Sequence, residues 1–104
     1  MAIYVFDLDG TLCQTERDES KWDYENATPF PERIKKVNEL FEEGHTIIID
    51  SARGCTSGFN WEPFTIEQLK NFGLKFHQVR TGKKFGGDYF IDDKGTNAID
   101  FFEK

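Results

Sequence analysis

Two aspartates directly follow the first apolar segment of the chain and could do chemistry together. The apolar run 3–6 (IYVF) leads straight into Asp7, Asp9 and Gly10 in the sequence DLDGTL. A short buried strand that ends at two acids and a glycine delivers charge to the edge of a sheet, where open α/β folds bind ligands. Asp-Gly after an apolar run is also typical of a β-hairpin, in which Gly10 supplies the positive φ of the turn. The rest of the chain must decide between these alternatives.

Polar groups also follow the later apolar segments. One set closes the β-branched run 46–49, one lies in the basic, glycine-rich segment 81–87, and one follows the apolar segment 88–91. These groups are Ser51, Arg53, Lys83 or Lys84, Asp92 and Asp93. Carboxylates that lie together repel one another unless they share a cation, and oxygen ligands without a nearby His or Cys favour Mg²⁺. A lysine and a hydroxyl suit phosphoryl oxygens, so the collection indicates phosphoryl transfer, in which catalysis is mainly positioning and charge neutralisation.

Alternating strands and helices are predicted between these groups. Pro31 opens a helix that ends at Gly44, and a second helix covers 63–72. Strands are predicted over 3–6, 46–49, 74–79 and 88–91, and a short final helix carries Ala98, Ile99, Phe101 and Phe102. This order predicts an α/β fold with a mostly parallel sheet of about four strands flanked by helices.

A parallel sheet would bring the polar groups together at one edge. Right-handed crossovers align the carboxyl ends of parallel strands. Asp7, Ser51 and Asp92 each follow an apolar strand, so we expect all three at the same crevice. The hairpin alternative is disfavoured, because residues 13–21 contain no good partner strand for residues 3–6.

Size, charge and cysteine content narrow the class of protein. The 104 residues predict one domain over 1–104, and the formal net charge of −6 disfavours a broad electrostatic contact with nucleic acid or anionic membrane. No segment reads as a secretory leader or is apolar enough to span a bilayer. The two cysteines, Cys13 and Cys55, have neither disulfide-framework nor metal-site spacing. We therefore expect a cytoplasmic protein with reduced thiols and no membrane partner.

Four motifs resemble those of one enzyme superfamily. The sequence DLDGTL at 7–12 resembles the first motif of the haloacid dehalogenase (HAD) superfamily of phosphatases, and Ser51 at the end of its strand resembles the second. Lys83 resembles the third motif, and IDD at 91–93 the fourth. The motifs occur in the family's order and span nearly the whole chain. More closely, SAR at 51–53, GK at 82–83 and IDDK at 91–94 resemble small capless phosphatase-like proteins linked with capsule or surface-sugar biosynthesis.

The resemblance implies a Rossmann-like core and a role for each matched residue. Asp7 would attack phosphorus in line and form an aspartyl-phosphate, while Asp9 would protonate the leaving alcohol and then activate water. Mg²⁺ would bind the carboxylates of Asp7 and Asp92 and the backbone carbonyl of Asp9. Asp93 would support the metal directly or through another ligand.

The resemblance also implies an open site. Ser51 and Lys83 would hold the phosphoryl oxygens, with Lys84 as the alternative lysine. The segments 11–51 and 51–83 each contain a predicted helix and leave no room for a cap domain. Such a site accepts a large substrate or is covered by a neighbouring subunit, and its specificity would come from segments 13–30 and 52–62.

Several functions fit these residues. The leading hypothesis is a Mg²⁺-dependent phosphomonoesterase acting on a small phosphorylated metabolite such as a sugar phosphate. A phosphatase of nucleotides or polynucleotide ends is the alternative within the class, and the acidic balance disfavours it. A binding or regulatory module without turnover is the alternative from another class. A phospho-acceptor signalling domain matches poorly, because that family places its paired acids after the first strand.

Individual residues also have structural alternatives. Asp9 could serve only in a turn, Ser51 only as a cap for the turn after its strand, and Asp93 only as a helix N-cap. Arg53 could contact substrate or pair with an acid. His45 and His77 have no partners at the spacing of metal ligands, so we expect structural roles for them. For Trp22, Tyr24 and Trp61 we expect packing at the edge of the core, a subunit interface, or stacking on a substrate. These aromatic segments are compatible with a homodimer or homotetramer.

Overall fold

A computed structural model of the chain describes residues 2–18, 21–53, 60–81, 89–92, 96–97 and 102, and for residues 18, 21, 22, 89–92, 96 and 97 it describes the backbone. These residues form nine short strands and two α-helices. The strands are β1 (Ile3–Asp7), β2 (Cys13–Gln14), β3 (Arg17–Asp18), β4 (Lys21–Trp22), β5 (Thr28–Pro29), β6 (Thr46–Ser51), β7 (Gln78–Thr81), β8 (Tyr89–Asp92) and β9 (Thr96–Asn97). The helices are α1 (Pro31–Glu42) and α2 (Glu62–Asn71).

Five of the described strands form one sheet in the order β7-β6-β1-β8-β9. All four neighbouring pairs in it are parallel. The α/β architecture with a parallel sheet is therefore confirmed. Because β1 pairs with β6 and β8, the Asp-Gly turn after β1 does not fold it into a hairpin. The expected sheet of about four strands gains a fifth, the two-residue strand β9.

Both helices pack on one face of the sheet. The buried side chains of Phe6, Ile47 and Ile49 belong to the same core cluster as Val37 of α1 and Leu69 of α2. Full burial of each such side chain contributes about 1.5–3 kcal/mol, so this layer is the main apolar contribution of the described residues. Neither helix is long and apolar enough to cross a membrane, within the residues that the structure describes.

The helix predictions are confirmed to within one or two residues, and their ends have local causes. Pro31 is the first residue of α1, where its missing N–H is not needed. Gly44, with φ of 96°, follows the helix and donates its N–H to the carbonyl of Phe41 at 3.1 Å. Such a positive φ favours glycine, so α1 ends where the sequence predicts it.

The strand predicted over 74–79 is wrong in its position, since β7 begins at Gln78. The first part of that segment is a connection, in which Leu74 donates its N–H to the carbonyl of Leu69 at 3.1 Å and buries its side chain in the core. Its apolar residues therefore reflect packing of a loop. The predicted final helix lies outside the described residues except for Phe102, which is helical and packs 6.0 Å from the ring of Phe6.

The segment 13–30, from which the sequence analysis expects part of the specificity, contains two short antiparallel ladders. β2 pairs with β5 and β3 pairs with β4, so the segment doubles back on itself. A 3-10 turn over Tyr24–Asn26 lies between β4 and β5. We call residues 13–29 the hairpin segment.

Candidate active site

The strand order places β1 at the point where the chain reverses its direction across the sheet. From β1 the chain moves to β6 and then β7 on one side, and it later continues with β8 and β9 on the other side. In open α/β sheets, ligands bind outside the carboxyl ends of the strands at such a switch point. The acids that follow β1 therefore lie where this architecture binds ligands.

The register brings the predicted strand-end residues together along this edge. Asp7 is opposite Asp50 in β6, and Phe6 is opposite Ile91 in β8, so the backbone of Asp92 lies beside that of Asp7. Ser51 is one residue beyond Asp50. The register thus places the backbones of Asp7, Ser51 and Asp92 along one edge of the sheet, and the expectation that they line one crevice stays a prediction.

Asp50 is a carboxylate at this edge that the sequence analysis did not single out. Its side chain is only 2% exposed, and its register partners are Asp7 on one side and Arg80 on the other. Its register position opposite Asp7 makes Asp50 part of the same edge of the sheet. The only sequence signal was an acid directly attached to the β-branched run 46–49.

A tight turn after β1 presents Asp9. The carbonyl of Leu8 accepts hydrogen bonds from the N–H groups of Thr11, Leu12 and Cys13 at 3.1, 2.8 and 3.3 Å. Gly10, with φ of 86°, donates its N–H to the carbonyl of Cys13 at 2.8 Å. Leu8 and Leu12 are fully buried and anchor the turn in the core. The turn thus holds Asp9 two residues beyond the end of β1.

Both carboxylate oxygens of Asp9 accept hydrogen bonds from Arg53. The guanidinium Nη2 donates to Oδ1 at 2.8 Å and Nε donates to Oδ2 at 2.9 Å, which is the bidentate geometry of a strong ion pair. The hydroxyl of Thr15 donates to Oδ1 at 2.5 Å. Arg53 is 1% exposed, whereas the side chain of Asp9 keeps 21% of its surface exposed. Of the two alternatives for Arg53, pairing with an acid is therefore present, and contact with substrate stays a prediction.

Helix α2 and the hairpin segment hold Arg53 in this orientation. Its Nη1 donates to Gln68 Oε1 at 2.8 Å and to Thr65 Oγ1 at 3.3 Å. The guanidinium carbon lies 4.6 Å from the centre of the Tyr24 ring, and Gln68 Nε2 donates to the Tyr24 carbonyl at 2.6 Å. Three parts of the chain therefore converge on one buried guanidinium.

Ser51 has a structural contact in the same loop. Its Oγ accepts a hydrogen bond from the backbone N–H of Arg53 at 3.1 Å, and the residue is 2% exposed. This contact matches the predicted capping of the turn after the strand. The Ser51 hydroxyl still carries a proton that can be donated, so its expected contact with a phosphoryl oxygen stays a prediction.

The thiol of Cys13 lies against Asp9, with 3.6 Å between Sγ and Oδ1. Burial, and then the negative charge of Asp9, raise the pKa of Cys13 from 9.0 to about 11. Burial and the same charge also raise the pKa of the Tyr24 hydroxyl. Cys13 is therefore a free, protonated thiol at neutral pH, as expected for a reduced cysteine, and it is no nucleophile. Cys55 lies outside the described residues.

Hard oxygen donors are present where the sequence predicts Mg²⁺. Asp7 is half-buried at the switch point, and in the described part of the chain no hydrogen bond is found at the carbonyl oxygen of Asp9. These donors and the strand-end position of Asp92 fit the oxygen ligands that Mg²⁺ prefers. Among the described residues, no three His, Cys, Asp or Glu side chains form a metal-binding group. The Asp92 side chain and Asp93, two of the four expected ligands, lie outside that set.

Lys83, the predicted phosphate-binding lysine, lies outside the described residues, as does its alternative, Lys84. Their expected contact with phosphate stays a prediction.

The two histidines have the structural roles expected of them. His45 Nδ1 accepts the N–H of Ala2 at 3.0 Å, and His77 Nδ1 accepts the N–H of Ile47 at 3.0 Å. Each imidazole thus fixes backbone at one end of a strand.

The aromatic residues of the two predicted specificity segments meet each other. The rings of Tyr24 and Trp61 are 5.0 Å apart in an edge-to-face arrangement, and Trp61 is 5.4 Å from Phe64 of α2. Core-edge packing is therefore present for this pair. Because Tyr24 also covers Arg53, the pair borders the site.

Comparisons with known proteins support the fold. No model of a protein family matches the chain, and no curated protein matches it. A crystal structure of a structural-genomics target (MCSG) from Vibrio cholerae is similar over 100% of this chain and 89% of that chain, with 26% identity and a TM-score of 0.74. The described residues thus form an α/β protein with an open parallel sheet in a Rossmann-like order, and acids follow its strands at the switch point.

Proposed function

We propose that this protein is a Mg²⁺-dependent phosphomonoesterase of the HAD type, acting on a small phosphorylated metabolite such as a sugar phosphate. The observation that carries the proposal is the position of Asp7. The first acid of DLDGTL ends β1 at the switch point, with the backbone of Asp92 beside it and Ser51 on the neighbouring strand. A nucleophile, a metal ligand and a phosphate-binding hydroxyl at one edge are the parts that this chemistry needs.

The reaction would proceed in two balanced steps on Asp7. A carboxylate oxygen of Asp7 attacks phosphorus, the bond from phosphorus to the leaving oxygen breaks, and Asp9 gives that oxygen its proton. Asp9 then removes a proton from a water molecule, which attacks phosphorus and breaks the bond to Asp7. Phosphate leaves, Asp7 is again a carboxylate and Asp9 is again protonated, so the enzyme returns to its starting state.

Other residues of the chain would bind and orient the phosphoryl group. The Ser51 hydroxyl and the Lys83 ammonium would donate hydrogen bonds to its oxygens, with Lys84 as the alternative. Asp7, the Asp9 carbonyl, Asp92 and Asp93 would hold Mg²⁺. When bound, the ion would neutralise charge on the phosphoryl oxygens and on the carboxylates around it.

The connections of the sheet support a capless version of this fold. The described residues between β1 and β6 include the turn that presents Asp9, the hairpin segment and α1, and those between β6 and β7 include α2. In the described chain, both connections consist of short elements that belong to the core or lie at its edge. Specificity would then come from the hairpin segment, from Trp61 and its neighbours, or from a second subunit.

A binding module without turnover is the second candidate, and one observation favours it. Arg53 donates to both oxygens of Asp9, so the proposed proton donor is already engaged in a strong pair. If that pair does not permit proton transfer, the crevice would bind a phosphorylated ligand and leave it intact.

Phosphate release from a panel of monoesters distinguishes the two candidates. The panel contains sugar phosphates, nucleotides and oligonucleotides phosphorylated at the 3′ or 5′ end, each tested with and without Mg²⁺. We expect Mg²⁺-dependent release by the wild type and its loss in Asp7→Asn. The matched control is Glu67→Gln, which changes an exposed carboxylate of α2. Mg²⁺-dependent binding of the same compounds without release would establish the binding module.

A further inference from the structure

The two oxygens of Asp9 are held unequally. Oδ1 accepts the hydroxyl of Thr15 at 2.5 Å and Nη2 of Arg53 at 2.8 Å, and the Cys13 thiol lies 3.6 Å away. Oδ2 accepts Nε of Arg53 at 2.9 Å, and no other donor among the described residues reaches it. A carboxylate oxygen has two lone-pair positions. Oδ1 therefore has both positions filled, whereas Oδ2 keeps one.

We propose that Arg53 is a positioning residue that fixes Asp9 so that Oδ2 is the oxygen that exchanges the proton. This inference rests on the proposed phosphatase function and specifies how its acid–base residue is oriented. Arg53 and Thr15 together anchor Oδ1 on the protein side. The Asp9 side chain as a whole keeps 21% of its surface exposed, so a ligand can reach this carboxylate. Arg53 acts through Asp9 and is not assigned a contact with substrate.

The surroundings of Arg53 suit it for this role. Thr65 and Gln68 of α2 accept hydrogen bonds from its Nη1, and the ring of Tyr24 covers the guanidinium. Such a planar group, fixed on several sides, holds a carboxylate in one plane, whereas a lysine ammonium is a single point charge. A preorganised acid needs no rearrangement at the moment of proton transfer.

The same network connects Asp9 to the hairpin segment. Gln68 donates to the carbonyl of Tyr24 at 2.6 Å while its own carbonyl accepts Arg53 at 2.8 Å. A substitution at Gln68 therefore loosens Arg53 without removing its charge. Gln68→Met keeps the length of the side chain and removes both hydrogen bonds.

The leaving group provides the test. A sugar or alkyl alkoxide needs a proton as it departs, whereas p-nitrophenolate departs without one. Correct placement of a general acid is worth about 10²–10⁴ in rate, so its misplacement should lower turnover of the first class of substrate selectively. For Arg53→Met we expect kcat to fall by about tenfold to a hundredfold with an alkyl or sugar phosphate, and by less than about threefold with p-nitrophenyl phosphate.

Two further variants and one control separate positioning from stability. Arg53→Lys keeps the charge but cannot bind both oxygens, so it should restore only part of the lost rate on the alkyl ester. Gln68→Met should show a smaller effect in the same direction. Val37→Ala, which truncates a fully buried core side chain of α1 outside the described contacts of Arg53 and Gln68, should leave the ratio of the two rates unchanged. If Arg53→Met does not fold, Arg53→Lys and Gln68→Met carry the test.

The outcomes distinguish this inference from the function on which it rests. Equal loss of activity on both leaving groups in every Arg53 and Gln68 variant would overturn the positioning role while leaving the phosphatase intact. No turnover of either substrate by the wild type would overturn the phosphatase itself, and the role of Arg53 in proton transfer with it. A selective loss on the alkyl ester, partly restored by lysine, supports both.

Discussion

Replacing Arg53 with methionine should destabilise the folded protein by about 3 kcal/mol. Breaking a buried ion pair by removing one partner costs about 3–5 kcal/mol. The lower end applies here, because the Asp9 side chain is 21% exposed and water can solvate it after the guanidinium has gone. Gln68 Oε1 and Thr65 Oγ1 also lose their donor. Methionine approximates the apolar stem of arginine, so the lost hydrogen bonds, and not a cavity, dominate the change.

A double-mutant cycle in urea measures the pair directly. The cycle comprises the wild type, Arg53→Met, Asp9→Asn and the double variant, each unfolded at neutral pH. Interacting groups in one hydrogen-bonded network show coupling free energies of about 0.5–3 kcal/mol. We expect about 2 kcal/mol, because two charge-assisted hydrogen bonds join the side chains. Two results together would refute the view that this pair stabilises the site. They are a free energy of unfolding of Arg53→Met within about 1 kcal/mol of the wild-type value and a coupling free energy below about 0.5 kcal/mol.

Two further predictions concern other parts of the chain. Glu43→Lys should raise the free energy of unfolding by about 0.7 kcal/mol. The last turn of α1 carries no basic residue, so a lysine there would interact favourably with the helix dipole and with Glu39. Thermal unfolding followed by circular dichroism tests this prediction, and an unchanged or lower Tm would contradict it. Burial and the charge of Asp9 raise the pKa of Cys13 from 9.0 to about 11, so the unfolded chain loses its thiol proton first as the pH rises. The stability advantage of the wild type over Cys13→Ser should therefore be constant below pH 9.0 and fall by about 1.4 kcal/mol per pH unit up to about 11. A difference that does not change with pH in urea titrations would contradict that pKa.

The placement of the strand-end acids was predictable because it follows from local pattern and general topology. The short apolar run before Asp7 and the β-branched run before Ser51 read as buried strands, and parallel strands end at one edge. Helix α1 was predictable because Pro31 and Gly44 mark its ends. These signals lie within a few residues of the elements that they define.

The contacts of Arg53 were not predictable, because they depend on where α2 lies. Asp9 and Arg53 are 44 positions apart, and the sequence alone left Arg53 equally suited to a substrate or an acid. Leu74 misled the placement of β7 because a buried loop residue has the same apolar signature as a strand residue. The position of Asp50 at the site was not predicted, because its sequence neighbours indicate only a strand. The register of the sheet is needed to show that it lies beside Asp7.

The most direct test of the central claim is to look for phosphate on Asp7. The protein is mixed with Mg²⁺ and its best substrate from the panel, quenched with acid within the first turnover, and digested for mass spectrometry. We predict one phosphoryl group on the peptide that contains Asp7, and none in Asp7→Asn. Substrate turnover by the wild type without any phosphoryl group on that peptide, or equal turnover by Asp7→Asn, would contradict the account.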